Sequence, residues 1–119
     1  MKTADLIGPA LDWAVAKIEE LDAYIPSYAL IPWVQYRDCH GQPHPCPKFH
    51  EDWNYGGPII EREKMKIRPG TSSDGDAWVA ATTWGEWSCV GPTALVAAMR
   101  CYVASKLGDE VEIPEELKV

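Results

Sequence analysis

Apolar residues recur at three- and four-residue steps over residues 7–21, where Ile7, Leu11, Ala14, Val15, Ile18 and Leu21 share one helical face. Asp12, Lys17, Glu19 and Glu20 lie mostly off that face, Thr3 or Asp5 can cap the start, and Pro26 blocks continuation. A second helix is predicted over 92–107. Gly91 and Pro92 suit its start, and Lys106 and Gly108 suit its end. It is apolar nearly all round over 94–99. Ala94, Ala97, Ala98, Cys101, Ala104 and Ser105 form a small-residue face, while Leu95, Met99 and Tyr102 supply volume. This helix is expected to form the centre of the core.

Strand patterns are shorter. Residues 28–36 are rich in Tyr, Ile, Trp and Val, with Pro32 confining them to an edge or a bulge. Residues 77–84 alternate, Trp78, Ala80, Thr82 and Trp84 falling on one side. Residues 58–68 fit two periods. As a strand they carry a basic stripe of Arg62, Lys64, Lys66 and Arg68; as a helix they have Gly57 as cap and Pro58 in the first turn. We expect a helical turn over 58–63 and a strand over 64–68. That strand begins a hairpin over 64–84, with a polar turn at 71–76. Residues 39–51, with three prolines and three histidines, read as an irregular loop. The tail over 111–117 reads as extended, packing by its apolar residues. The fold class is therefore α+β: a single domain with a small antiparallel sheet of about three strands packed against two main helices.

At 119 residues the chain is long enough for a core without covalent staples. No stretch is long and apolar enough to read as a spanning helix, and residues 1–5 lack the pattern of a signal peptide. A cytosolic setting is expected, with no membrane partner, and there the four cysteines are thiols or ligands rather than disulfides. The net charge of −7 disfavours general nucleic-acid binding.

Three constellations deserve weighing as chemistry. Cys39, His40, His44, Cys46 and His50 crowd twelve residues and include zinc-type ligands. The spacing is not that of a finger, so the region is read as a proline-rich surface loop; Cys39, His44, Cys46 and His50 are the metal candidates on it. Cys89 or Ser88 lies before a helix start that can lower a thiol pKa, but no catalytic signature surrounds either, and a packed loop cysteine is the preferred reading. The third constellation is the run 53–63. Trp53 and Tyr55 can stack on a flat ligand, Asn54 lies between them, Gly56 and Gly57 can bring amides close, and Arg62 between Glu61 and Glu63 can pair with an anion. Trp13 and Arg100 are possible neighbours. An internal salt bridge is the competing role for the Glu-Arg-Glu cluster.

Three blocks together carry a resemblance: residues 11–17 (Leu-Asp-Trp-Ala-Val-Ala-Lys), residues 56–63 (Gly-Gly-Pro-Ile-Ile-Glu-Arg-Glu) and residues 95–111, which run from Leu95 to Val111. The chain resembles the phage NinX family, small accessory proteins of tailed phages and prophages. The family's Thr-Pro or related pair before the last helix is here Gly91-Pro92-Thr93-Ala94, and the 39–50 Cys/His loop is not part of the family pattern. The resemblance implies a phage origin and action in the host cytoplasm; it supplies no activity.

The expected function is non-enzymatic, without a cofactor. One reading is sequestration of a small anionic or nucleotide-type ligand, such as a host-defence signal, by the 53–62 run with Trp13 and Arg100. The alternative is an inhibitor or adaptor of a host protein, using exposed tryptophans and an acidic surface. An enzyme ranks last, because no base, nucleophile and oxyanion site assemble in the sequence. The small-residue face also allows a homo-oligomer.

Overall fold

In a computed structural model, described over residues 1–26, 33–70 and 77–117, helix α1 spans Gly8–Ile18. Gly8 has φ +58, a left-handed start that leaves Pro9 in the first turn. Of the expected apolar face the helix buries Leu11, Ala14 and Val15, together with Ala10, Asp12 and Ala16 off that face, whereas Ile7 precedes the helix and is exposed. It ends at Ile18 rather than at residue 21, because Glu20 turns left-handed at φ 62.

The chain then builds a small antiparallel sheet, β1 (Asp22–Tyr24), β2 (Gln35–Arg37) and β3 (Pro43–Pro45), in that spatial order. Tyr24 pairs with Gln35, and Gln35 with Pro45. Only the end of the strand expected over 28–36 falls in β2, and residues 28–32 of that expectation lie outside the described residues. The loop expected over 39–51 contains β3. Its prolines concealed the strand, yet Pro43 and Pro45 sit on an edge, where a missing N–H is tolerated.

Helix α2 spans Trp53–Glu63, five residues earlier than the expected turn at 58–63. Asp52, not Gly57, is its cap, accepting from the Asn54 amide at 2.9 Å. Gly56 and Gly57 are therefore helical. Gly56 is required by packing: a Cβ there would lie 2.5 Å from Leu95 Cδ2 and 2.8 Å from the Phe49 carbonyl oxygen. Lys64 closes the helix in the left-handed region.

Strand β4 (Lys66–Pro69) pairs with β5 (Trp78–Ala81), as the predicted hairpin requires. Its turn at 71–76 lies outside the described residues. A third strand, β6 (Ser88–Gly91), completes a second sheet in the order β4-β5-β6. Helix α3 spans Ala94–Leu107 and is capped by Thr93, whose hydroxyl accepts from the Val96 amide at 3.1 Å; the expected Gly91 cap and Pro92 start lie before it. From Leu95 to Ala104 only Arg100 is not buried. The helix packs on β5, β6 and α1, so it is the core element that its composition predicts. The architecture is α+β. It differs from the expected single sheet and two helices in having, among the described residues, two three-stranded antiparallel sheets and three α-helices.

The tail folds back to the start. The Thr3 amide donates to the Asp109 carbonyl at 2.8 Å, and the Val111 amide to that of Met1 at 2.9 Å. Val111, Ile113 and Leu117 are buried, as the apolar spacing of the tail predicts.

Candidate functional site

Because α2 begins at Trp53, Tyr55, Pro58, Ile59 and Arg62 recur at three- and four-residue steps along one side of it. These residues and Asn54 form one wall of a groove of about 440 Å³. Tyr36 of β2, Pro47 and Phe49 form the other wall, and Glu19 and Leu21, just past α1, complete it. Phe49 meets the Tyr55 ring edge-to-face, at 6.2 Å between centroids. A second groove of about 610 Å³ shares Tyr36, Pro47 and Tyr55, and adds Lys48 and His44. His44 stacks on Tyr36 at 5.3 Å, and its Nε2 lies 2.8 Å from Asp38.

The charged end of the groove is a network. Arg62 donates through both terminal nitrogens to the two Glu19 oxygens, each at 3.0 Å. It also donates to Tyr102 Oη at 2.9 Å and to Glu63 at 3.2 Å. The Tyr102 hydroxyl donates to Glu19 at 2.7 Å, and Lys106 pairs with Glu63 at 3.1 Å. Burial opposes the charge on Glu19, but hydrogen bonds from Arg62 and Tyr102 outweigh it and hold the carboxyl below its usual range. Burial likewise opposes the charge on Glu63, and Lys106 and Arg62 outweigh it to the same effect. Hydrogen bonds to Glu19 and Glu63 raise the Arg62 pKa. The salt bridge weighed for Arg62 is thus present with Glu63, but its main partner is the distant Glu19. Sequence reasoning missed Glu19, Tyr36 and Tyr102; only the helical register from residue 53 carried a signal that Tyr55 and Arg62 share a side.

The other expected site residues lie elsewhere. Trp53 is 57% exposed and lines a smaller cavity with Trp78, His50 and Thr93. Glu61 is exposed, and Gly57 packs its Cα side toward Trp53. The Gly56 amide is spent inside the helix on the Asp52 carbonyl, at 3.0 Å, so it offers no anion cradle. Trp13 is half-buried against the core under Lys17. Arg100 faces away from Arg62: it donates to the Leu6 carbonyl at 2.7 Å and the Val90 carbonyl at 2.9 Å, on the side of α3 opposite Tyr102.

Two of the metal candidates, Cys46 and His50, lie beside Asp12 of α1. Asp12, 4% exposed on α1, accepts the His50 amide at 3.1 Å and faces its Nδ1 at 2.8 Å. Burial pushes the Asp12 carboxyl up, with the His50 contacts acting the other way. The Cys46 thiol donates to the Pro47 carbonyl at 3.4 Å; burial first, and Asp12 second, push it up to about 12. Cys39 is exposed. Among the described residues no three His, Cys, Asp or Glu side chains group as a metal site would require.

The family model described as "Bacteriophage P22, NinX" matches residues 2–106. The chain belongs to that family. No curated protein matches it. For this NinX-family chain the matched region includes α1, α2, both sheets and all but the last residue of α3. It therefore contains every groove residue, and it stops short of the tail that packs on the N-terminal segment. Among the described residues no helix is long and apolar enough to cross a membrane.

Proposed function

We propose that this phage accessory protein is a non-enzymatic binder acting in the host cytoplasm. It takes a small flat ligand with an anionic group, of nucleotide type, into the groove beside α2. The observation that carries the reading is the convergence of Asn54, Tyr55 and Arg62 with Tyr36 in one groove. Aromatic faces accept a base by stacking, the Asn54 amide reads its polar edge, and the Arg62 fork suits a phosphate. Sequestering a nucleotide that the host uses as a defence signal is the function consistent with such a site in an accessory protein.

A panel of mononucleotides and dinucleotides, screened by thermal shift and calorimetry, tests the proposal. Loss of one stacking ring costs about 1–3 kcal/mol, so Tyr55→Ala is expected to weaken binding roughly 5- to 150-fold. Absence of binding across the panel, or unchanged affinity in Tyr55→Ala, sinks the reading. A second reading, docking on a host protein, is favoured by Trp84. It stands 86% exposed in the β5–β6 turn, and large exposed tryptophans anchor protein interfaces. Co-purification of one host protein with the wild type, lost in Trp84→Ala, would favour that alternative.

A further inference from the structure

The groove beside α2 does not end at Tyr55. Tyr36, Pro47 and Tyr55 also line the second groove, of about 610 Å³, so the two form one continuous trough. The trough follows α2, with Arg62 toward one end and Asp52, the helix cap, toward the other. From Tyr55 to Arg62 the helix rises about 10 Å, a span that one nucleotide covers from base to phosphate. The second groove lies beyond that span and is the larger of the two.

A rigid aromatic platform lines that second groove. Tyr36 and His44 are directly opposed partners on β2 and β3, and their rings stack at 5.3 Å with 28° between planes. Asp38 fixes the His44 ring through Nε2 at 2.8 Å, and the His40 and Gln42 amides, each 2.9 Å from Asp38 Oδ1, fix Asp38 in turn. The His44 side chain is 45% exposed, so the face turned from Tyr36 is open to a flat partner. Polar groups of both signs surround the platform. Lys48 meets Glu51 only at 3.5 Å, with both side chains mostly exposed, so its ammonium can be drawn to an anion at little cost. Glu51 and Asp52 add carboxylate acceptors.

We propose that the ligand carries two bases, as a dinucleotide with a terminal phosphate does, and that its second base lies on the Tyr36–His44 platform. The inference rests on the nucleotide reading of the first groove and extends it. The terminal phosphate takes the Arg62 fork, the first base stacks at Tyr55, and Lys48 meets the linking phosphodiester. The second base stacks on His44 and donates from its exocyclic amine to the Glu51 or Asp52 carboxylate, which can only accept. The same carboxylates repel a phosphate, and this sets the direction of the ligand: terminal anion at Arg62, second base toward Asp52. A mononucleotide leaves the platform bare.

The test compares adenosine monophosphate with the terminally phosphorylated diadenylate by calorimetry on the full chain. The diadenylate is expected to bind about 10-fold tighter or better, as one added stacked base requires. His44→Ala is expected to weaken the diadenylate roughly 5- to 150-fold, the effect of one lost stacking ring, and to leave the monophosphate within about twofold. Lys48→Ala, at a side chain 67% exposed, is expected to weaken the diadenylate alone and to flatten its salt dependence. Equal affinities for the two probes, with the monophosphate still weakened by Tyr55→Ala, overturn the second-base site and leave the first-groove reading standing. Equal losses for both probes in His44→Ala also overturn it, because the platform then serves the first base. Binding of neither probe overturns both.

Discussion

Arg62 joins parts of the chain that lie far apart in sequence, through Glu19 after α1, its own α2 and Tyr102 on α3. Its side chain is half-exposed, so water screens much of each ion pair, and Arg62→Ala is expected to cost only about 1 kcal/mol by urea denaturation. The effect depends on pH. Glu19 and Glu63 have folded-state pKa values below their unfolded ones, so their contribution is present above about pH 4.3 and fades as pH falls through the folded values. Glu19→Gln should therefore lower Tm at pH 7 and leave it nearly unchanged at pH 3, measured by calorimetry. Asp12 is the stronger anchor because it is buried. Asp12→Ala strips His50 of its partner and is expected to cost about 3 kcal/mol. From sequence, Asp12 appeared only as a polar residue off the apolar face of α1. Nothing local indicated that it faces His50, 38 positions away.

At the level of elements, legibility followed length and periodicity. Helix α3 and the β4–β5 hairpin were readable because fourteen helical residues and a clean alternation each repeat one signal several times. The β1-β2-β3 sheet was not, since three-residue strands leave too few positions for any period to show. In α2 the Gly-Gly-Pro run imitated a turn, and the true start depended on one cap, Asp52. The two glycines then separate cleanly. Gly57→Ala adds a methyl at ordinary contact distance from Trp53 and removes backbone freedom, so a gain of about 0.5–1 kcal/mol is expected. Gly56→Ala drives a methyl into Leu95 and the Phe49 carbonyl, and a loss of about 1–3 kcal/mol is expected despite better helix propensity. Equal effects in guanidinium unfolding would contradict this placement of α2. Lys64, left-handed at φ 52, should likewise gain about 1 kcal/mol on replacement by glycine.

On the scale of the whole molecule, the core sits around α3, and the aromatic surplus of the sequence divides between packing and surface. Trp78 and Trp87 pack against the core, whereas Trp53 and Trp84 stand out from it. Trp84→Ala should therefore change stability by no more than about 0.5 kcal/mol, and a larger loss would show that Trp84 serves the fold. The candidate site was legible only in part: Tyr55 and Arg62 came from local chemistry, while Tyr36, Glu19 and Tyr102 entered through tertiary contacts that no local pattern encodes. The bidentate embrace of Arg62 by Glu19 has one more consequence. An anion that claims the Arg62 fork must evict a carboxylate, which then loses the partner that kept it ionised. At acid pH, in the ordinary titration range of a carboxyl at about 4.3, binding would therefore draw a proton from solution, affinity would climb as pH falls through that range, and two buffers of unlike ionisation enthalpy would there report different heats for the same complex.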